Sequence, residues 1–402
     1  MGISSTTSAK DFTRVSVGYG KKHIETTTLN LSNSAYRILT LIALSGECSP
    51  DAISHLGIKP AYCTKLITGL KENNYIKTHY KDRLRGYRLT NRRKKLLLRT
   101  NPDRFSFYLK GNSDTNKPRS DYARRLRLHH ASRVYAMLMN SDISLYRDQK
   151  LLLFRKWDSE AHVLSLPAFY HSREIKELGS ETIKINNSRI LGILLTSNAI
   201  YPVFYTGNTL MKWEYRTEIR LKAFLKHHMR SGVLSGSHIL PGYHPDTPVK
   251  ALIIGSDMDT SVKLMESTGG YQKSYFYLDT SFDHFHYLPA SPAGECILKL
   301  LCNPAVSNEL RKLLLSDLQP VNPDLGLEHD GTWNQIPLQL AFDFDILRLS
   351  RFHTALSFHG LCGRLICFDF QKAALQQYFG NMVTLETIDL PKFERRFFTD
   401  EH

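Results

Sequence analysis

The sequence predicts an α+β protein, an N-terminal winged helix-turn-helix followed by a mixed α/β domain. Three observations predict it. Residues 32–90 read helix, helix, helix, hairpin; the excess positive charge is confined to the first 150 residues; and from about Lys150 short apolar runs alternate with helical segments. The 402 residues, 42% apolar and 23% charged, allow two or three domains with ordinary cores. Such a composition excludes an intrinsically disordered chain, a collagen-like repeat and a disulfide framework. The longest apolar runs, such as Ile190–Thr196, fall far short of the roughly 18 residues a membrane span needs. The first residues carry no apolar stretch of the secretory kind, and six cysteines lack framework spacing, so a reducing, cytoplasmic setting is expected.

The elements follow in order. Residues 1–30 are rich in Ser, Thr and Gly and read as a flexible basic leader with Lys21 and Lys22. Residues 31–110 form the expected winged helix. Ser32 or Asn33 caps a helix to about Ser45, whose apolar face is Ala35, Ile38, Leu39, Ile42 and Ala43, and Gly46 stops it. Ser49-Pro50-Asp51 sets a cap and a first-turn proline for a short second helix ending near Gly57. Lys59-Pro60-Ala61 opens a third, with Cys63, Leu66, Ile67 and Leu70 at helical spacing. The alternating run Tyr75–Tyr80, a turn at Lys81–Gly86 and Tyr87–Thr90 read as a hairpin with glycine at its turn. Residues 101–122 read as a polar connection, and residues 111–150 contain a basic linking helix, Tyr122–Asn140. Residues 151–402 read as the α/β domain. Strands are expected at Leu151–Phe154, Ile190–Thr196, Ile200–Tyr205, Ala251–Gly255 and Arg364–Phe370. Helices are expected at Trp213–Met229, Thr260–Ser267, Ile297–Leu301, Ser307–Leu318 and Gln371–Tyr378.

Charge points to a partner. Residues 1–150 hold 28 Lys/Arg against 11 Asp/Glu, whereas residues 151–402 hold 25 against 27. An asymmetry of this size marks a polyanion-binding module, because each cation placed on a phosphate releases counterions. The third helix would expose Lys59, Tyr62, Thr64, Lys65, Thr68 and Lys71 to a major groove. Arg83 and Arg85 at the wing tip are long enough to reach a minor groove or the backbone, and Arg92, Arg93, Lys94 and Lys95 would meet phosphates. Arg124, Arg125 and Arg127 of the linking helix extend the basic set. Double-stranded DNA is therefore the expected partner, bound by a homodimer because a single winged helix covers one short half-site. With nearly balanced charge, residues 151–402 then serve as an interaction or dimerisation platform.

Several segments carry a resemblance. They are the hairpin ending Tyr87-Arg88-Leu89-Thr90, the helix segment His129-His130-Ala131-Ser132-Arg133-Val134-Tyr135, and Tyr170-His171-Ser172-Arg173-Glu174-Ile175-Lys176. Ser188–Leu195, Tyr201–Gly207 and Lys212-Trp213-Glu214 follow. Over residues 30–230 these resemble the replication-relaxation family of plasmid and mobile-element proteins. The resemblance implies DNA binding in replication, mobilisation or its transcriptional control, other replication or mobilisation proteins as partners, and a second domain related to restriction-endonuclease-like folds.

Cleavage chemistry is the alternative. A restriction-type nuclease needs two or three acidic groups and a lysine at strand ends to hold Mg²⁺ or Mn²⁺ and position a water. Here Ile190–Thr196 contains no acid, Glu174 and Lys176 lack a partnering Asp before them, and Glu218 with Lys222 falls on a helix. His284-Phe285-His286 places two imidazoles on one side of a strand, as in His-hydrophobe-His endonucleases with a nucleophilic tyrosine, and Tyr271, Tyr275 and Tyr277 are close in sequence. His353, His359, Cys362 and Cys367 do not match zinc spacing, and Asp257/Asp259 and Asp343/Asp345 read as cap and strand-face residues. No metal centre and no cofactor are expected, apart from Mg²⁺ or Mn²⁺ under the nuclease alternative.

Overall fold

The computed structural model describes residues 32–109, 122–150, 166–176, 188–234 and 246–398. Lys21, Lys22 and the strand expected at Leu151–Phe154 lie outside the described residues. The chain divides into two units, Met1–Ser132 and Arg133–His402.

In the first unit, α1 (Asn33–Ser45) starts where the Ser32 side chain accepts from the Ala35 N–H at 3.3 Å, and buries Ala35, Ile38, Leu39, Ile42 and Ala43. Short α2 (Pro50–Ser54) is capped by Ser49 and followed by α3 (Pro60–Glu72). Strands β1 (Ile76–Lys81) and β2 (Leu84–Leu89) pair antiparallel from Ile76–Leu89 to Lys81–Leu84. The turn is therefore Asp82-Arg83, both at positive φ, a two-residue turn whose twist suits a hairpin. Gly86 lies inside β2 opposite His79, not at the turn as the sequence suggests. Its missing side chain has a use there, since a Cβ would stand 2.2 Å from the Glu47 carboxylate and 2.7 Å from His129. Helix α4 (Asn91–Thr100) is capped by Thr90. The expected connection after it holds another helix, α5 (Pro102–Leu109), which buries Phe105, Phe107, Tyr108 and Leu109, an apolar set masked in sequence by its polar neighbours.

Glu47 is the electrostatic centre of this unit. It sits between α1 and α2, fully buried. Arg88 of β2 donates to Oε2 at 2.8 Å. Arg125 and His129 reach it from α6 (Tyr122–Asn140), at 2.7 and 2.8 Å on Oε1. The Arg125 guanidinium also donates to the carbonyls of His79, Lys81 and Leu84 and so grips both strands of the hairpin beside its turn. Burial alone would raise the Glu47 carboxyl, but the hydrogen bonds from His129, Arg125 and Arg88 outweigh it and hold the group down at about 2.

The unit boundary falls inside α6, after Ser132, rather than near residue 150. His129 and Ser132 face the first unit, where Ser132 Oγ accepts the Ser49 N–H. Tyr135 and Asn140 face the second, against Phe169 and Glu295. In that second unit, β3 (Ala168–His171), β4 (Gly192–Leu195), β5 (Ile200–Gly207), β6 (Ala251–Gly255) and β7 (Phe285–Pro289) form one sheet in that order, antiparallel through β5 and parallel from β5 to β7. The strands are buried along nearly their whole length, which accounts for their continuous apolar runs. Between them lie α7 (Ser172–Lys176), α8 (Tyr215–Leu234) and α9 (Asp259–Met265). Helices α10 (Pro292–Cys302) and α11 (Pro304–Leu315) lead to β8 (Gly331–Trp333), β9 (Ile336–Leu340), α12 (Ile346–His359), β10 (Gly363–Phe368), α13 (Lys372–Phe379), β11 (Val383–Ile388) and α14 (Leu390–Phe397). Strands β8–β11 make a second sheet in the order β11-β10-β9-β8, and one core joins both sheets through Phe285, Tyr287, Phe344, Leu365 and Cys367.

Because the unfolded chain takes up the Glu47 proton near pH 4.5 and the folded one only near 2, stability falls as pH drops through that window, by about 3 kcal/mol. Acid denaturation of Glu47→Gln is expected to lack this step and to start from a form about 3 kcal/mol less stable at neutral pH, as measured by urea unfolding, since two arginines are then buried without their anion.

Candidate nucleic-acid interface

Helix α3 separates its two faces by spacing. Cys63, Leu66 and Leu70 are buried. Lys59 at the N-cap and Tyr62, Thr64, Lys65 and Thr68 along one side of the helix are exposed, together with Ala61. Lys71 is half-buried and stands 5.3 Å from the centre of the Tyr87 ring. At the hairpin tip Arg83 is exposed at the turn, fixed in the left-handed region. Arg85 is exposed but tethered, donating to the Tyr87 hydroxyl at 3.2 Å and lying 5.7 Å above its ring. One buried tyrosine thus holds two cations, one from the helix and one from the hairpin.

Two expected phosphate contacts are corrected by burial. Arg93 is fully buried, its guanidinium 4.2 Å from the Tyr75 ring centre, and none of its side-chain nitrogens has a hydrogen-bond partner among the described residues. Burial pushes it down to about 10. Helical periodicity explains this: in the run Asn91–Lys95 one residue of the first turn must face inward, with Leu97 one turn on. Arg92 and Lys95 stay exposed and Lys94 is half-buried. Arg125 is likewise fully buried, committed to Glu47 and the hairpin carbonyls, whereas Arg124 and Arg127 on either side are exposed. What the sequence shows as basic clusters are exposed cations interrupted by one structural arginine each.

The catalytic candidates of the second unit do not converge. Glu174 is buried and its carboxylate takes the Lys150 ammonium at 2.8 Å and the His171 N–H at 3.0 Å. Lys150, brought down to about 8 by burial against the pull of Glu174, donates also to the Leu145 carbonyl. The pair ties residue 150 to β3 and α7. Lys176 ends α7. His284 and His286 do face the same way, 6.0 Å apart and stacked, each held through Nδ1: His284 meets Asp345 at 2.6 Å and His286 meets the Asp343 carbonyl at 3.1 Å. Asp345 spends its other oxygen capping α12 and taking the Phe285 N–H. Burial would raise that carboxyl, yet the His284 bond and both neighbouring imidazoles hold it at about 2. Asp257 caps α9 through the Thr260 N–H. The His353 ring packs on Tyr378, Cys367 is buried and Cys362 exposed. Among the described residues no three His, Cys, Asp or Glu side chains gather as a metal-binding group.

Glu218 and Lys222 are on a helix, α8, as expected, but they do not pair. Lys222 meets Asp283 at 2.6 Å, while Glu218 is buried and accepts from Ser188 at 2.9 Å. Burial raises Glu218 to about 8 against the hydrogen bond from Ser188, and the nearby Asp279 and Glu214 add to the rise.

Arg93→Met is expected to keep or gain stability in urea unfolding, because a buried unpaired cation is replaced by an apolar chain of similar length. For Glu218 the folded chain keeps a proton between pH 4.5 and 8 that the unfolded chain has released, so stability falls as pH rises through that window. Glu218→Gln is expected to abolish that slope in melting temperatures recorded from pH 5 to 9 and to stabilise the protein at the alkaline end. No family model, curated protein or solved structure matches this chain.

Proposed function

We propose that the first unit is a winged helix that binds double-stranded DNA in a sequence-specific manner, with α3 in the major groove and the β1–β2 hairpin as the wing. The observation that carries this reading is the exposed face of α3: Lys59, Tyr62, Thr64, Lys65 and Thr68 project from a helix whose opposite side is anchored in the core. A helix of that width enters a major groove, and these side chains include donors and acceptors for base edges as well as cations for phosphates. Arg83 on its rigid turn extends the contact to a neighbouring groove, and Arg92, Lys95, Arg124 and Arg127 supply further phosphate neutralisation. The role follows from the resemblance stated above: control of replication or mobilisation of a plasmid or similar element, in the cytoplasm, by a homodimer on paired half-sites, with a second domain derived from a restriction-endonuclease-like fold. A metal-dependent nickase or nuclease is the weaker reading, since Glu174 and Asp345 are consumed by Lys150, His284 and helix caps.

Gel-shift titration on a site selected from a random duplex pool tests the proposal. Lys65→Ala with Arg83→Ala is expected to weaken binding by about a hundredfold, and removal of two phosphate contacts flattens the dependence of log affinity on log salt by about 1.8. Unchanged affinity in that double variant defeats the reading. Relaxation of supercoiled plasmid with Mg²⁺ or Mn²⁺, lost in His284→Ala, would establish the nickase instead.

A further inference from the structure

Arg189 before β4, Lys212 between β5 and α8, Arg216 in the first turn of α8 and Lys273 in the loop between α9 and β7 line one cleft of about 710 Å³ in the second unit. All four are exposed, and none has a carboxylate within ion-pair distance among the described residues. Glu214 is the one carboxylate in the lining among those residues.

The frame of the cleft is closed by hydrogen bonds. The Trp213 N–H donates to the Ser274 carbonyl at 3.0 Å, Phe276 N–H to Met211 at 2.9 Å, and the Trp213 indole to Asp279 at 2.7 Å. The far rim is a tight turn closed by Lys273 N–H on the Gly270 carbonyl at 3.0 Å, with Gly269, Gly270 and Lys273 all at positive φ. Its tip, Tyr271, is fully exposed and Tyr275 beside it about half exposed, both outside the lining, whereas Tyr215 and Tyr277 belong to the lining. Four like charges held together with one carboxylate among them repel one another, and a polyanion relieves that cost. Aromatic rings presented to water on a fixed loop gain by stacking on other planar groups.

We propose that this cleft is a second nucleic-acid site that takes a single-stranded segment of DNA, its phosphates on Arg189, Lys212, Arg216 and Lys273 and its bases on the tyrosines. Only an unpaired strand offers base faces to Tyr215 and Tyr277 in the lining and to Tyr271 on the rim, because a duplex keeps them stacked, and a concavity of this size admits a short stretch of one strand but not a duplex. The inference takes from the function proposed above only that the polyanion is DNA; it uses none of the same residues.

Fluorescence anisotropy on the full chain tests it, with labelled oligothymidylate of about 12 nucleotides and, separately, the selected duplex. Lys212→Ala with Arg216→Ala is expected to lower oligothymidylate affinity about tenfold and flatten its salt slope by about 1.4, with duplex affinity changed less than about twofold. Tyr271→Ala is expected to cost about fivefold on oligothymidylate alone. Lys65→Ala with Arg83→Ala gives the reverse pattern. These side chains are exposed, so unchanged melting temperatures accompany the expected result. The inference is overturned by a wild-type chain that ignores oligothymidylate, by cleft variants that bind it normally, or by equal weakening on both DNAs. Displacement of the oligonucleotide by thymidine monophosphate or polyglutamate at equivalent charge concentration overturns it as well, in favour of a mononucleotide or an acidic peptide. Failure of the duplex arm alone removes the function proposed for the first unit and leaves the cleft standing.

Discussion

A single buried carboxylate organises the first unit. Glu47 lies where the α1–α2 loop, strand β2, the hairpin turn and the start of α6 meet, and side chains from two of these end on it, Arg88 from β2 and Arg125 with His129 from α6. Removing the carboxylate leaves Arg88 and Arg125 buried without their anion. The arrangement therefore gives geometric definition as well as stability. Arg125 shows how: its guanidinium is shared between Glu47 and three hairpin carbonyls, so the strands are set relative to α6 by a planar donor that tolerates little displacement. Gly86 completes the design by leaving room for the carboxylate inside β2.

The consequence reaches the exposed surface. The hairpin arginines project from strands held at one end by Glu47 and on one side by Tyr87, itself faced by Lys71 and Arg85. A basic surface mounted on such a frame presents its charges at fixed spacing. Buried arginines and exposed ones therefore divide the labour: Arg88, Arg93 and Arg125 shape the unit, and Lys59, Lys65, Arg83, Arg92 and Arg124 face water.

The second unit spends its charged groups differently. Glu174 with Lys150, Asp345 with His284, Asp283 with Lys222 and Asp330 with Arg348 tie loops and helix ends to strands. Its overall balance of charge conceals a local imbalance, because carboxylates are drawn into these ties while four cations line one cleft with no ion pair among the described residues. Net charge over 252 residues averages the two populations and so registers neither.

The sequence by itself determined the order of elements in residues 32–100, the caps at Ser32 and Ser49, the apolar face of α3 and the runs that became β4, β5, β6 and β10. These depend on spacing and neighbours a few residues apart, which the linear chain displays. Helix α5, strands β8 and β9, and α12 were hidden because their burial comes from distant packing. Tertiary structure alone decided which arginine of Arg92–Lys95 and of Arg124–Arg127 turns inward, since one residue of helical phase changes a phosphate contact into a core group. It alone brought Glu47 to Arg125, 78 positions away, and Arg189, Lys212 and Lys273 to one cleft. Charge pairing is set by distance in space, and composition carries no record of it.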